Sequence, residues 1–119
     1  MRTPFSNQTT PPSSCIARIE MTNASVNAVV ATCYDRARDE ARAATEALMR
    51  GDDLGPLHGL PIGVKDLNDT EGLVTTYGSP IYADNVPAAD ESMVAGLRSA
   101  GAIVVGKIHI ITEYDIRYL

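Results

Sequence analysis

The stretch Asp90-Glu91-Ser92-Met93-Val94-Ala95-Gly96-Leu97-Arg98-Ser99-Ala100-Gly101-Ala102-Ile103-Val104-Val105-Gly106-Lys107 decides the fold. Met93, Val94 and Leu97 recur at helical spacing, Asp90 stands where an N-cap oxygen is useful, and Gly101 follows where helices commonly end. The spacing predicts a helix over 91–100. Ala102-Ile103-Val104-Val105 then runs without a polar break, as strands covered on both faces do. Helix, glycine and buried strand in that order belong to an α/β protein.

Working outward, Ile62-Gly63-Val64-Lys65 reads as a short strand, with Ile62 and Val64 on one face and Gly63 and Lys65 on the other. The three glycines and two prolines of Gly51 to Pro61 make an irregular loop before it. Tyr34, Ala37, Ala41, Ala44 and Leu48 recur every three or four residues and Gly51 follows, which predicts a helix over 32–50. Arg36/Glu40 and Glu46/Arg50 lie four apart on its polar side. Val26 to Ala31 reads as a strand leading into that helix, Ile16 to Thr22 as the end of an earlier strand, and Ile108 to Leu119 as a further strand. Residues 1–14 are rich in Ser, Thr and Pro and read as a disordered leader. The ordered part is therefore expected across residues 24–107, within a domain of residues 15–119.

At 119 residues the chain has room for one core at most. It is 45% hydrophobic and 21% charged, which excludes a disordered tail, a collagen-like repeat and a coiled coil. A net charge of −5 leaves no basic surface to neutralise phosphates, so no nucleic-acid partner is expected. Cys15 and Cys33 are too few for a disulfide scaffold and form no zinc spacing. With no long apolar run and no apolar signal segment, a cytoplasmic protein without a membrane partner is expected.

Three patterns imitate known sites. Gly101 to Lys107 has the G-x-x-x-x-G-K frame of a phosphate loop, but Ile108 stands where a hydroxyl is needed and the intervening residues are strand formers. Asp66, Asn68, Asp69, Thr70 and Glu71 resemble the start of a calcium loop, but Glu71 replaces the turn glycine and Tyr77 the closing glutamate. His58 and His109 accompany no G-x-S-x-G elbow, so both read as loop or strand-edge residues. No metal and no cofactor are expected.

Lys65 is the candidate that remains. It shares a strand face with a glycine, where another backbone or a small ligand can approach, and burial there would lower its pKa enough for general-base work. On periodicity alone an ordinary surface lysine at a strand end is the favoured reading.

Gly55-Pro56-Leu57-His58-Gly59-Leu60-Pro61-Ile62-Gly63-Val64-Lys65-Asp66 is followed in order by Thr75-Thr76-Tyr77-Gly78-Ser79, Pro87-Ala88-Ala89-Asp90, Leu97-Arg98, Ala100-Gly101-Ala102 and Gly106-Lys107. In that order and spacing, from about Ile16 to Lys107, the chain resembles the N-terminal part of the amidase signature family. The resemblance implies a mixed β-sheet surrounded by helices and hydrolysis of carbon–nitrogen amide bonds by a Ser/cis-Ser/Lys triad. It makes Lys65 the triad lysine, the base toward the bridging serine. Both serines and the oxyanion segment lie further downstream in the family. After Gly106-Lys107 the chain departs from the usual Thr-Asn, with Ile108-His109, and Glu113-Tyr114 arrive one place late.

The expectation is thus the N-terminal portion of an amidase, as a truncated or frame-shifted product would be, inactive alone and acting on a small amide once completed. A non-catalytic binding or interaction module built from the same segment is the alternative. Either would leave unpaired sheet edges through which the chain could self-associate.

Overall fold

The computed structural model describes residues 11–109. The elements run α1 (Pro11–Val26), β1 (Val29–Thr32), α2 (Tyr34–Arg50), β2 (Pro61–Lys65), a 3₁₀ turn (Pro80–Tyr82), α3 (Ser92–Ser99) and β3 (Ile103–Ile108). The sheet is mixed, with order β1-β3-β2; β3 lies antiparallel to β1 and parallel to β2. This is the α/β arrangement that the helix–glycine–strand stretch implied.

Two apolar clusters cover the two faces of β3. On one face Ile103 and Val105 pack with Ile16 of α1 and Ala37 and Ala41 of α2; on the other Val104 packs with Val64, Leu73 and Val94 of α3. That double burial is why 102–105 contains no polar residue. α2 ends on Gly51, whose left-handed backbone (φ +76°) donates to the carbonyls of Ala47 and Leu48. Gly101 is needed for closeness as well as for its φ of +103°: a Cβ there would lie 2.7 Å from His58 Cα.

Three expectations are corrected. Pro11 to Ser14, assigned to the leader, form the first turn of α1, where proline costs no intrahelical hydrogen bond; residues 1–10 lie outside the described residues. Ile16 to Thr22 is helical rather than a strand end, since Ile16 buries itself against α2 with its helical neighbours Cys15 and Ile19. Asp90 does not cap α3. Its Oδ1 accepts from the Glu71 N–H at 2.7 Å and its Oδ2 lies 3.0 Å from Arg98 Nε, while Glu91 occupies the cap position without a side-chain capping bond. β3 takes in Ile108, and the separate strand expected over 108–119 lies, beyond residue 109, outside the described residues.

Because Ile16 is 1% exposed and Met21 of the same helix 75% exposed, the two test whether α1 belongs to the core. Ile16→Ala should destabilise the chain by about 3 kcal/mol in urea unfolding, whereas Met21→Ala should stay within about 0.5 kcal/mol.

Candidate active site

β2 delivers Lys65 and Asp66 to one end of the sheet. Lys65 is exposed and Asp66 is buried. The alternation predicted for Ile62 to Lys65 holds, with Val64 packed inward and Gly63 so close to β3 that a Cβ would lie 2.9 Å from Ile108 Cγ2. The Asp66 N–H donates to the Ile108 carbonyl at 3.0 Å, extending the parallel ladder one residue beyond the strand.

The Asp66 carboxylate then organises the Thr-Thr-Tyr-Gly-Ser motif. Its Oδ1 accepts from the Thr76 N–H at 2.9 Å and its Oδ2 from the Thr76 hydroxyl, while the Tyr77 N–H donates to the Asp66 carbonyl at 2.9 Å. Tyr77 adopts φ +53° and its hydroxyl donates to Asp69, which raises the phenol above its ordinary pKa. Two motifs ten residues apart are thereby joined at one place. Beside them lies an open cavity of about 450 Å³, lined among others by Val30, Asp66, Thr76, Gly78, Ser79 and His109. Ser79 serves its own turn, its Oγ accepting from the Ile81 N–H at 3.3 Å at the start of the 3₁₀ segment.

Lys107 was not singled out by its sequence, where it looked like the residue after a buried strand. It lies within β3 and is fully buried, its Nζ donating to the Thr70 hydroxyl at 2.8 Å and to the Asn68 carbonyl. Burial pushes its ammonium below the usual lysine pKa, against the opposing pull of Asp66, Asp69, Glu91 and Asp90. The segment that resembled a calcium loop is thus held by an internal cation. The G-x-x-x-x-G-K frame is a strand, with Lys107 turned into the protein, so it offers no phosphate cradle.

Neither histidine joins this constellation as a base with a carboxylate partner. His58 Nε2 lies 2.8 Å from the Ala44 carbonyl, and the His109 backbone N–H donates to Ala28 at 2.8 Å. Among the described residues, no three of His, Cys, Asp and Glu gather into a possible metal site, and no helix is long and apolar enough to cross a membrane.

This end of the sheet thus carries a strand-borne lysine followed by an aspartate locked into a Thr-Thr turn. The chain belongs to the amidase family, whose sequence profile, described as Amidase, matches residues 13–111. A glutamyl-tRNA(Gln) amidotransferase subunit from Anaeromyxobacter dehalogenans (strain 2CP-C) is 42% identical over 95 residues, covering 80% of this chain and 19% of that protein. A chain from a vestigial protein complex, solved in connection with the evolutionary origins of an s-triazine catabolic enzyme, superposes with TM-score 0.77 at 38% identity, covering 84% of this chain and 23% of its own. Native peptide amidase from Stenotrophomonas maltophilia gives TM-score 0.76 at 31% identity, covering 83% and 20%. The chain therefore spans about a fifth of the length of these relatives.

The depressed pKa of Lys107 has a defined consequence for stability. Between its lowered folded value and the ordinary 10.5, the unfolded chain binds more protons at this site than the folded one, so stability rises with pH there. Urea midpoints followed from pH 7 to 10.5 should show wild type gaining relative to Lys107→Met as pH rises. The difference between the two proteins cancels the opposite contribution of Tyr34 and Tyr77, whose raised phenol values favour the folded state less as they ionise.

Proposed function

We propose that this chain is the lysine-bearing N-terminal part of an amidase, with Lys65 as general base for cleavage of a small-molecule amide. The observation that supports it is the joining of Lys65-Asp66 to the Thr-Thr-Tyr turn through the buried Asp66 carboxylate, in the motif order of the family. In the family's scheme the lysine takes a proton from a bridging serine, which activates the nucleophilic serine; water or ammonia then resolves the acyl-enzyme. Neither serine has a counterpart in the motifs matched here. The 119 residues by themselves would supply a base with no alkoxide to generate and no oxyanion donors, and the latter commonly provide the largest catalytic share. The domain limit at residue 15 shifts to about residue 11 in this reading, and two free cysteines fit a reducing, cytoplasmic setting.

A second reading, a non-catalytic interaction module, is favoured by the sheet's edges. Among the described residues β1 and β2 pair only with β3, and Val30, Leu60 and Leu67 beside them are exposed. Such edges and apolar groups promote self-association.

The 119-residue chain assayed on a panel of aliphatic and aryl amides should show no turnover, and light scattering should report a mass above that of the monomer. Joined to the downstream part of the peptide amidase relative, it should turn over amides, and Lys65→Ala should lower kcat by at least about 100-fold, the usual scale for losing a general base. Turnover by a stable monomer of 119 residues that is lost in Ser79→Ala would overturn the reading.

A further inference from the structure

Lys107 reaches its site only because the strand that bears it is irregular. The register of β2 and β3 runs Pro61↔Ile103 and Ile62↔Val104, then jumps to Gly63↔Gly106 and Val64↔Lys107. Val105 is therefore an extra residue, and strict alternation after it is shifted by one. Without the bulge Lys107 would follow Ile103 and Val105 onto the face covered by α1 and α2. With it, Lys107 pairs with Val64 and enters the opposite side, where Asn68 and Thr70 wait. A separate slip in β1, which leaves Val30 unpaired, falls beyond this bulge, between the pairs Ala31↔Lys107 and Val29↔Ile108.

The oxygens it meets belong to the turn that leaves Lys65. The Asn68 N–H donates to the Lys65 carbonyl at 3.0 Å, and the Asn68 carbonyl receives the Lys107 ammonium. The Asn68 side chain donates to Glu91 at 2.7 Å, and the Glu91 N–H donates to the Asp69 carbonyl at 3.0 Å, tying the turn to the start of α3. One buried cation thus holds the far end of a turn whose first residue is Lys65, and Asn68 links that end to Lys65; the carboxylates Asp66, Asp69, Glu91 and Asp90 surround the cation with negative charge.

We propose that Lys107 is a positioning residue for Lys65: a tethered internal cation, aimed by the Val105 bulge, that orders the turn 65–70 through the Asn68 carbonyl and the Thr70 hydroxyl. The catalytic part of this inference rests on Lys65 being the base. The ordering of the turn does not.

The Asn68 amide reads the contact with Lys65 directly. In the 119-residue chain, Lys107→Ala should speed hydrogen exchange at Asn68 and Glu91 at least tenfold while leaving Ala41 and Thr45 of α2 unchanged. Added propylammonium, which replaces the missing segment with its donors, should restore the slow exchange; tetramethylammonium, which has charge but no N–H, should not. Lys107→Met, which fills the space without donors, should behave as the alanine variant does. In the chain joined to the downstream amidase part, Lys107→Met should lower kcat about tenfold with KM within twofold. Unchanged exchange at Asn68 in both variants, or equal rescue by tetramethylammonium, overturns the proposal. Turnover that survives Lys65→Ala while the exchange results hold would instead sink the reading of Lys65 as base and leave Lys107 as the organiser of the turn.

Discussion

One extra residue in β3 determines what the rest of the structure can do. Ile103, Val104 and Val105 are buried because each face of the strand has its own cover, helices α1 and α2 on one side and α3 with the 66–78 loop on the other. The bulge at Val105 then reverses the phase, so that the next long side chain goes to the loop side instead of the helix side. A lysine delivered to the helix side would follow Val105 toward the apolar cluster of Ile16, Ala37 and Ala41. Delivered to the loop side, it meets two oxygens, and a buried ammonium is tolerable only with such partners.

The same loop is held from outside by ion pairs. Arg36 Nε lies 3.2 Å from Glu40 and its Nη2 3.2 Å from Glu71, while its Nη1 donates to the Glu71 carbonyl at 3.0 Å. Arg98 reaches Glu40 at 3.3 Å and Asp90 at 3.0 Å, and Asp90 takes the Glu71 N–H. Exposed pairs of this kind contribute about 0–1 kcal/mol each, so their part is to fix where the loop crosses between α2 and α3 more than to stabilise the fold. Arg98 is the exception, since its side chain is mostly buried and its Nη2 has no hydrogen-bond partner; losing either carboxylate there would leave a buried charge less compensated.

How much of this could be read from sequence follows from the range of each interaction. α2 was legible because its periodicity, its closing glycine and its Arg36/Glu40 pair are all local; only Arg50 departs, pairing with Asp52 instead of Glu46. β2 and the buried part of β3 were legible because alternation and continuous apolarity are local too. α1 was not. Rich in proline and serine, it lacks a strong apolar stripe, and its helical state depends on Ile16 finding Ala37 and Ala41 some twenty residues away. Asp90 was misjudged for a similar reason, because the Glu71 N–H and the Arg98 guanidinium compete for its oxygens across the fold. Lys107 was hidden by the bulge: a phase shift leaves no mark in one sequence, and without it the acceptors 37 and 39 residues earlier could not be paired with Nζ. The strand and turn that carry Lys65 were therefore legible in the sequence, and the buried lysine beneath them was not.

The two lysines stand in opposite environments. Lys107 is fully buried with two oxygen acceptors; Lys65 stands exposed two residues after Gly63, on a strand that among the described residues pairs only with β3. An amine in water at neutral pH stays protonated and is a poor base, so a lysine can act as one only where neighbouring structure removes water from it. In the described residues nothing covers the Lys65 side chain, whereas its backbone is held by Asn68 and by the Asp66 bond to Ile108. Positioning is thus built into this part of the fold and desolvation is not. Under the proposed role of Lys65, a surface packed over its exposed side chain would have to supply that desolvation, because the space at Gly63 is already taken by Ile108.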